Sequence, residues 1–412
     1  MSTLDFYFDF SCPYAYLAST QLERIRSQTG VSATLKPMLL GGVFRANDVP
    51  QNLFASLGAA KARHNALDLQ RHADLWEVPY NMPPGHPFRT VEALRTLLVT
   101  GPPYDGLMHA FFRAYWVEGQ NIGSEDVLLA ILAEHGHDAA DVLRRTQEQT
   151  VKAELRSRTD EAISAGVFGA PTFIANGEFY WGQDRIDEVI SQLGGPPSSA
   201  RTQGLRYPVD FYFDFSSPFA CLGFQKVRKV FGDQANLRPM LLGGVFKSIG
   251  MHNVPLFSLN AAKKRWVSLD LGRQAEACGF SFQWPSTFPV NSVLPLRIAL
   301  LIQRDHPALL HAFCDSVFTA YWSQGDDISS KERVASICDA LGLDGTSLVH
   351  ATQDPTVKEL LLQATNKAVD EGVFGAPTTV VNRGSEQKSL FWGSDRMELA
   401  RAMAAGKLAQ SM

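Results

Sequence analysis

Large apolar and polar side chains alternate along LDFYFDF, residues 4–10, which is the period of a strand. Directly after it the apolar positions shift to helical spacing at Tyr14, Leu17, Leu22 and Ile25, so the chain passes from strand to helix at Ser11, Cys12 and Pro13. ATLKPMLLGG reads as a second strand, a long helical stretch fills the middle, and APTFIANGEFYWGQDRIDEVISQL reads as strand, turn, strand and helix. The pattern predicts a βαβ half and a ββα half separated by helices, an α/β domain with a helical insertion.

The whole pattern then returns. DFYFDFS occurs at 5 and 210, PMLLGGVF at 37 and 239, and GVFGAPT at 166 and 372. Identical blocks in one order mean duplication of a unit of about 200 residues, far longer than a solenoid repeat. Between the copies, GGPPSSARTQGLRYP has the Gly, Pro and Ser content of an exposed linker. The expected division is residues 1–195, a linker at 196–207, and residues 208–412.

Composition narrows the function classes. With 412 residues, 45% of them hydrophobic and 19% charged, the chain can bury substantial cores. A net charge of −4, without local Lys or Arg runs, gives no footprint for nucleic acid. No stretch approaches the roughly 20 apolar residues of a membrane helix, and the first residues lack a leader pattern, so a cytoplasmic protein without a membrane partner is expected. The five cysteines contain no CxxC pair, and His64, His86, His109 and His311 follow no ligand spacing. Neither a disulfide framework nor a metal is expected.

Three short stretches carry chemistry. Pro13 and Pro218 suit the first position of a helix, which leaves Cys12 and Ser217 at or beside the N-cap. A sulfur anion held there is stabilised by backbone N–H groups and the helix dipole, whether it is Cys12 itself or a ligand sulfur beside Ser217; plain capping by Ser217 and plain burial of Cys12 are the competing readings. Pro171 and Pro377 stand at predicted strand starts, where proline marks an edge, a bulge or a cis bond. In WGQDR and WGSDR a Gly turn leads into the last helix, where Asp184 and Asp395 can meet an ammonium and the helix start a carboxylate. Cys221, one turn beyond Ser217, reads as buried, and Trp116 and Trp322 as packing the helical region.

The three stretches in this order resemble the thioredoxin superfamily branch that holds kappa-class glutathione transferases and 2-hydroxychromene-2-carboxylate isomerases. The resemblance covers nearly the whole chain, twice. It implies a thioredoxin-like fold of the DsbA type with an all-helical insertion, in two tandem copies, with glutathione as cofactor. In copy two it assigns Ser217 to the sulfur, Ala376 and Pro377 to the peptide backbone, and Ser394, Asp395 and Arg396 to the γ-glutamyl end. Asn253, Lys263 and Asn291 fall on the glutathione or substrate side, with surface or turn roles as competitors. Copy one keeps Lys61, Ala170, Pro171, Asp184 and Arg185, but has Asp48, Arg89 and Gln183 in the places of Asn253, Asn291 and Ser394, and Cys12 for the serine. Ala15 occupies the resolving-cysteine place, which excludes a fast dithiol cycle.

The function expected from this resemblance is glutathione-dependent isomerisation of a small conjugated acid from aromatic catabolism. A kappa-like transferase or peroxidase, a monothiol disulfide oxidoreductase using Cys12, and a degenerate copy that only completes the other are the alternatives. Since members of the branch tend to be homodimers, the two copies are expected to form an internal pseudo-dimer.

Overall fold

A computed structural model of the chain describes residues 2–52, 56–197, 204–251, 254–384 and 387–408. It divides into two compact units. The first comprises Met1–Gly58, Leu69–Ser199 and Asn260–Trp266, and the second Ala59–Asp68, Ala200–Leu259 and Val267–Met412. Each therefore includes one short segment from the other half of the sequence.

In the first half the elements are β1 (Leu4–Phe8), α1 (Pro13–Ser19), α2 (Leu22–Thr29), β2 (Thr34–Pro37), α3 (Leu40–Ala46), α4 (Ala59–Leu75), α5 (Val91–Thr100), α6 (Asp105–Trp116), α7 (Glu125–Glu134), α8 (Ala139–Arg145), α9 (Gln149–Ser164), β3 (Thr172–Ala175), β4 (Glu178–Trp181) and α10 (Ile186–Gln192). The second half supplies β5 (Val209–Phe213), α11 (Pro218–Phe231), β6 (Ala235–Pro239), α12 (Leu242–Ser248), α13 (Ala261–Ala277), α14 (Val293–Asp305), α15 (Leu310–Trp322), α16 (Lys331–Ala340), α17 (Gly345–Ala351), α18 (Pro355–Asp370), β7 (Thr378–Asn382), β8 (Lys388–Trp392) and α19 (Met397–Ala404).

Each unit holds one mixed four-stranded sheet, ordered β2-β1-β3-β4 in the first and β6-β5-β7-β8 in the second. β1 pairs parallel with β2 and antiparallel with β3, and β5 repeats this with β6 and β7. This is the predicted βαβ and ββα arrangement, with the helices from α4 to α9 and from α13 to α18 inserted between the halves. A central strand is covered on both faces, so the aromatics on both sides of β1 and β5 are buried. Phe6, Phe8, Phe10 and Phe112 stack at centroid distances of 5.0–5.8 Å in the first unit. The polar residue in β5, Asp210, is buried because Arg238 Nε, Asn236 Nδ2 and Asn382 Nδ2 all donate to its carboxylate.

The copies differ in their first helix. α11 is continuous, whereas the helix expected from Tyr14 through Ile25 breaks after Ser19 and resumes at Leu22. In the first copy Ser19 Oγ donates to Tyr16 O and Thr20 Oγ1 to Leu17 O, each at 2.7 Å. Such back-bonding hydroxyls weaken and bend a helix, and Phe224 and Gln225, following Gly223 at the matching place, offer none. Among the described residues no helix is long and apolar enough to cross a membrane.

Candidate functional site

The geometry starts at the strand-to-helix junction. β5 delivers the chain to Asp214, whose carbonyl accepts Ser217 N–H at 3.1 Å, and Pro218 opens α11. Ser217 is 4% exposed; its Oγ accepts Ala220 N–H at 3.2 Å and donates to Ala376 O at 3.1 Å. One hydroxyl thus ties the helix start to the residue before Pro377. The Ala170–Pro171 and Ala376–Pro377 bonds are both cis.

In the first unit Cys12 stands in the same place, 7% exposed, and its Sγ donates to Ala170 O at 3.1 Å. Burial pushes this thiol up to about 12. Desolvation opposes the helix dipole here, and the Cys12 side chain reproduces the serine's contact with the carbonyl before the proline. Cys221 is fully buried and its thiol is also raised by desolvation.

The Gly turn is built on steric exclusion. Gly393 has φ 111°, and a Cβ there would lie 2.4 Å from Asp395 Oδ1, so only glycine lets the carboxylate fold back over the turn. Gly375 is needed for a second reason, since its Cβ would meet Trp392 Nε1 at 2.4 Å. FGAP and WGSDR are therefore in contact in the second unit, and Gly169 with Trp181 Nε1 repeats this at 2.6 Å in the first. Arg396 donates through Nε to Asp68 at 2.7 Å and approaches Asp395 Oδ1 at 3.2 Å, while Arg185 Nη1 pairs with Asp184 Oδ1 at 3.1 Å. Ser394 and Gln183 are both buried, Gln183 with its Nε2 3.4 Å from His72 Nε2.

The lysines depart from expectation. Lys263 was expected with copy two and Lys61 with copy one. Instead Lys61 Nζ lies 5.0 Å over the Trp392 ring in the second unit, and Lys263 Nζ lies 4.6 Å over the Trp181 ring in the first. The first turns of α4 and α13 pack on the WGxDR turn of the unit they join, and sequence order does not determine which copy that is. Burial lowers the Lys61 pKa from its ordinary value.

The outer candidates are less engaged. Asn291 Oδ1 accepts Val293 N–H at 3.1 Å at the start of α14, and Arg89 is an exposed partner of Glu92 at 2.8 Å. Asp48, left-handed at φ 54°, lines a cavity of about 310 Å³ in the first unit with Asn47, Gly166, Asn260 and Arg265, apart from Cys12 and Pro171. Asn253 lies outside the described residues.

Two buried carboxylates escaped the sequence reading. Asp9 accepts from Ser11 N, Ser11 Oγ, Thr90 Oγ1 and Leu40 N at 2.7–3.1 Å, which pins the Cys12 loop to the starts of α3 and α5. Asp214 does the same through Ser216 N, Leu242 N and the Ser292 side chain. Desolvation raises both carboxyls above the ordinary value. The repeated second aspartate of DFYFDFS was the available signal, as the repeated LDL at 67 and 269 was for Asp68.

Known proteins resemble this chain in sequence. Human glutathione S-transferase kappa 1 is 27% identical over 46% of this chain and 88% of its own length. The 2-hydroxychromene-2-carboxylate isomerase of Pseudomonas sp. (strain C18) is 29% identical over 47% of this chain and 91% of its own. A solved 2-hydroxychromene-2-carboxylate isomerase structure aligns with TM-score 0.41 and 24% identity over 47% of this chain and 94% of that one. Residues 3–194 and 208–403 each match the DSBA-like thioredoxin domain, and the chain belongs to that family in two tandem copies.

Proposed function

We propose that the chain is a glutathione-dependent isomerase of the 2-hydroxychromene-2-carboxylate type, acting on a small conjugated acid of aromatic origin at the second unit. The observation that carries this reading is the Ser217 hydroxyl joining the start of α11 to Ala376. The donor set suits a γ-glutamyl tripeptide: a hydroxyl at a helix N-terminus for sulfur, the Ala376 backbone beside cis-Pro377, and the Ser394–Asp395–Arg396 turn for the α-amino and α-carboxylate groups. Glutathione, when bound, supplies the thiol that adds to the conjugated system and leaves unchanged.

The chain's own part is positioning and charge stabilisation. Ser217 Oγ–H turns from Ala376 O towards the sulfur, while Ala220 N–H continues to hold the oxygen in place. The polarity of the α11 N-terminus lowers the cost of negative charge there. Arg396, already paired with Asp68 and Asp395, presents a neutralised turn to the zwitterionic glutamyl end. Lys61, half-buried over Trp392, takes the place on the glutathione or substrate side that was expected for Lys263, where it would pair with the substrate's carboxylate.

Chromene-to-pyruvate isomerisation should be stimulated by glutathione, and Ser217→Ala should lower that rate at least about tenfold. No stimulation removes the reading. Near-equal similarity to the kappa transferase favours a second reading, conjugation to an electrophile, which a chlorinated aromatic would report by glutathione consumption. A disulfide reductase working through Cys12 is disfavoured by its raised thiol pKa. The boundaries at 195 and 208, and an internal pseudo-dimer of the copies, belong to the same proposal.

A further inference from the structure

β8 is the edge strand of its sheet. Gly393 N–H points inward to Pro377 O at 3.0 Å, so by strand alternation the N–H of Trp392 points outward, away from β7. An outward N–H at a partly buried edge needs an acceptor. In the second unit it has one: Trp392 N–H donates to His64 Nε2 at 3.0 Å. This contact places the His64 proton on Nδ1 and makes the ring a neutral acceptor. His64 is itself buried, and its ring stands edge-on to Trp392 at 6.2 Å and to Phe374 at 5.6 Å. One imidazole therefore braces the residue before Gly393–Arg396 and the residue before Gly375–Pro377.

Among the described residues the first unit shows no such side-chain acceptor. Trp266 stands at the place of His64, packs on Trp181 at 5.1 Å and on Phe168 at 6.0 Å, and carries an indole N–H that can only donate. The aromatic packing is common to both units; the hydrogen bond to a side-chain nitrogen is confined to the second.

We propose that His64 is a positioning residue of the second unit, whose imidazole acceptor sets the Trp392–Arg396 turn and the Phe374–Pro377 loop for glutathione. This rests on the reading that the second unit binds glutathione. His64 does not touch the reacting atoms; it acts through the backbone of Trp392.

The test uses the full chain as wild type, His64→Phe and His64→Gln, titrated calorimetrically with reduced glutathione. Hydrogen exchange is followed in the peptide covering residues 388–396. Phenylalanine keeps the ring and loses the acceptor, whereas glutamine restores an acceptor without the ring. The expected result is glutathione affinity weakened about tenfold in His64→Phe, the loss of one buried hydrogen bond, with faster exchange at 388–396, and both largely recovered in His64→Gln. Unchanged exchange in His64→Phe overturns the proposal, as does a glutamine variant as impaired as phenylalanine. If the wild type binds no glutathione, the functional reading fails, and exchange alone then decides for or against the brace.

Discussion

At the scale of single residues, the Cys12/Ser217 pair shows how little a local motif says about protonation. Both side chains donate to the carbonyl before a proline at 3.1 Å, and at Cys12 burial outweighs the backbone N–H groups of Tyr14 and Ala15 and raises the thiol. The Cys12 thiol, held near 12 by desolvation, should alkylate with iodoacetamide at a rate rising about tenfold per pH unit up to pH 10. A plateau near 9 would show an ordinary thiol. Asp214 gives a second prediction. Burial raises its carboxyl, so the folded chain binds that proton more tightly than the unfolded chain; the associated stability is full below the ordinary value of 3.8 and is lost as pH rises through the folded value. Asp214→Asn leaves Leu242 and Ser216 N–H facing an amide, which costs about 1–3 kcal/mol. Thermal unfolding across pH should find that loss largest in acid and smaller towards neutrality.

At the scale of elements, the repeated glycines mark places where side chains close over the backbone. Gly393→Ala sets a Cβ against Asp395 at positive φ and should destabilise by about 1–3 kcal/mol. Gly243→Ala, inside α12 with open space around its Cβ, should instead be neutral or stabilise by about 0.5–1 kcal/mol. Denaturant midpoints of the two variants separate these outcomes. The strands were legible because alternation is local; the pairing of β1 with β3 and of β5 with β7, which joins the two halves into one sheet, was not. Nor was the break between α1 and α2, since apolar spacing continues through it while two hydroxyls bond backwards at its edge.

At the scale of the molecule, duplication gives two units alike in topology and unlike in chemistry. Asp68 and Arg396 form a pair with side chains 2% and 13% exposed. Asp68→Ala removes one buried partner of the Arg396 guanidinium, and the second unit should lose about 3 kcal/mol in unfolding experiments. Deleting one partner of a buried pair costs more than the pair contributes, because the remaining charge stays desolvated. Lys61 and Lys263 show the limit of position-by-position transfer: their copy was readable, the unit they join was not.

The sequence by itself determined the duplication, the strand and helix order, and the three stretches that meet around cis-proline. These rest on periodicity, proline and glycine stereochemistry and verbatim repetition, which act within a few residues. Only the tertiary structure decided that Cys12 is buried against Ala170, that Asp9 and Asp214 anchor their loops, and that Lys61 and His64 pack on Trp392 of the second unit. Desolvation and hydrogen-bond partners are supplied by segments far away along the chain, and nothing local specifies them.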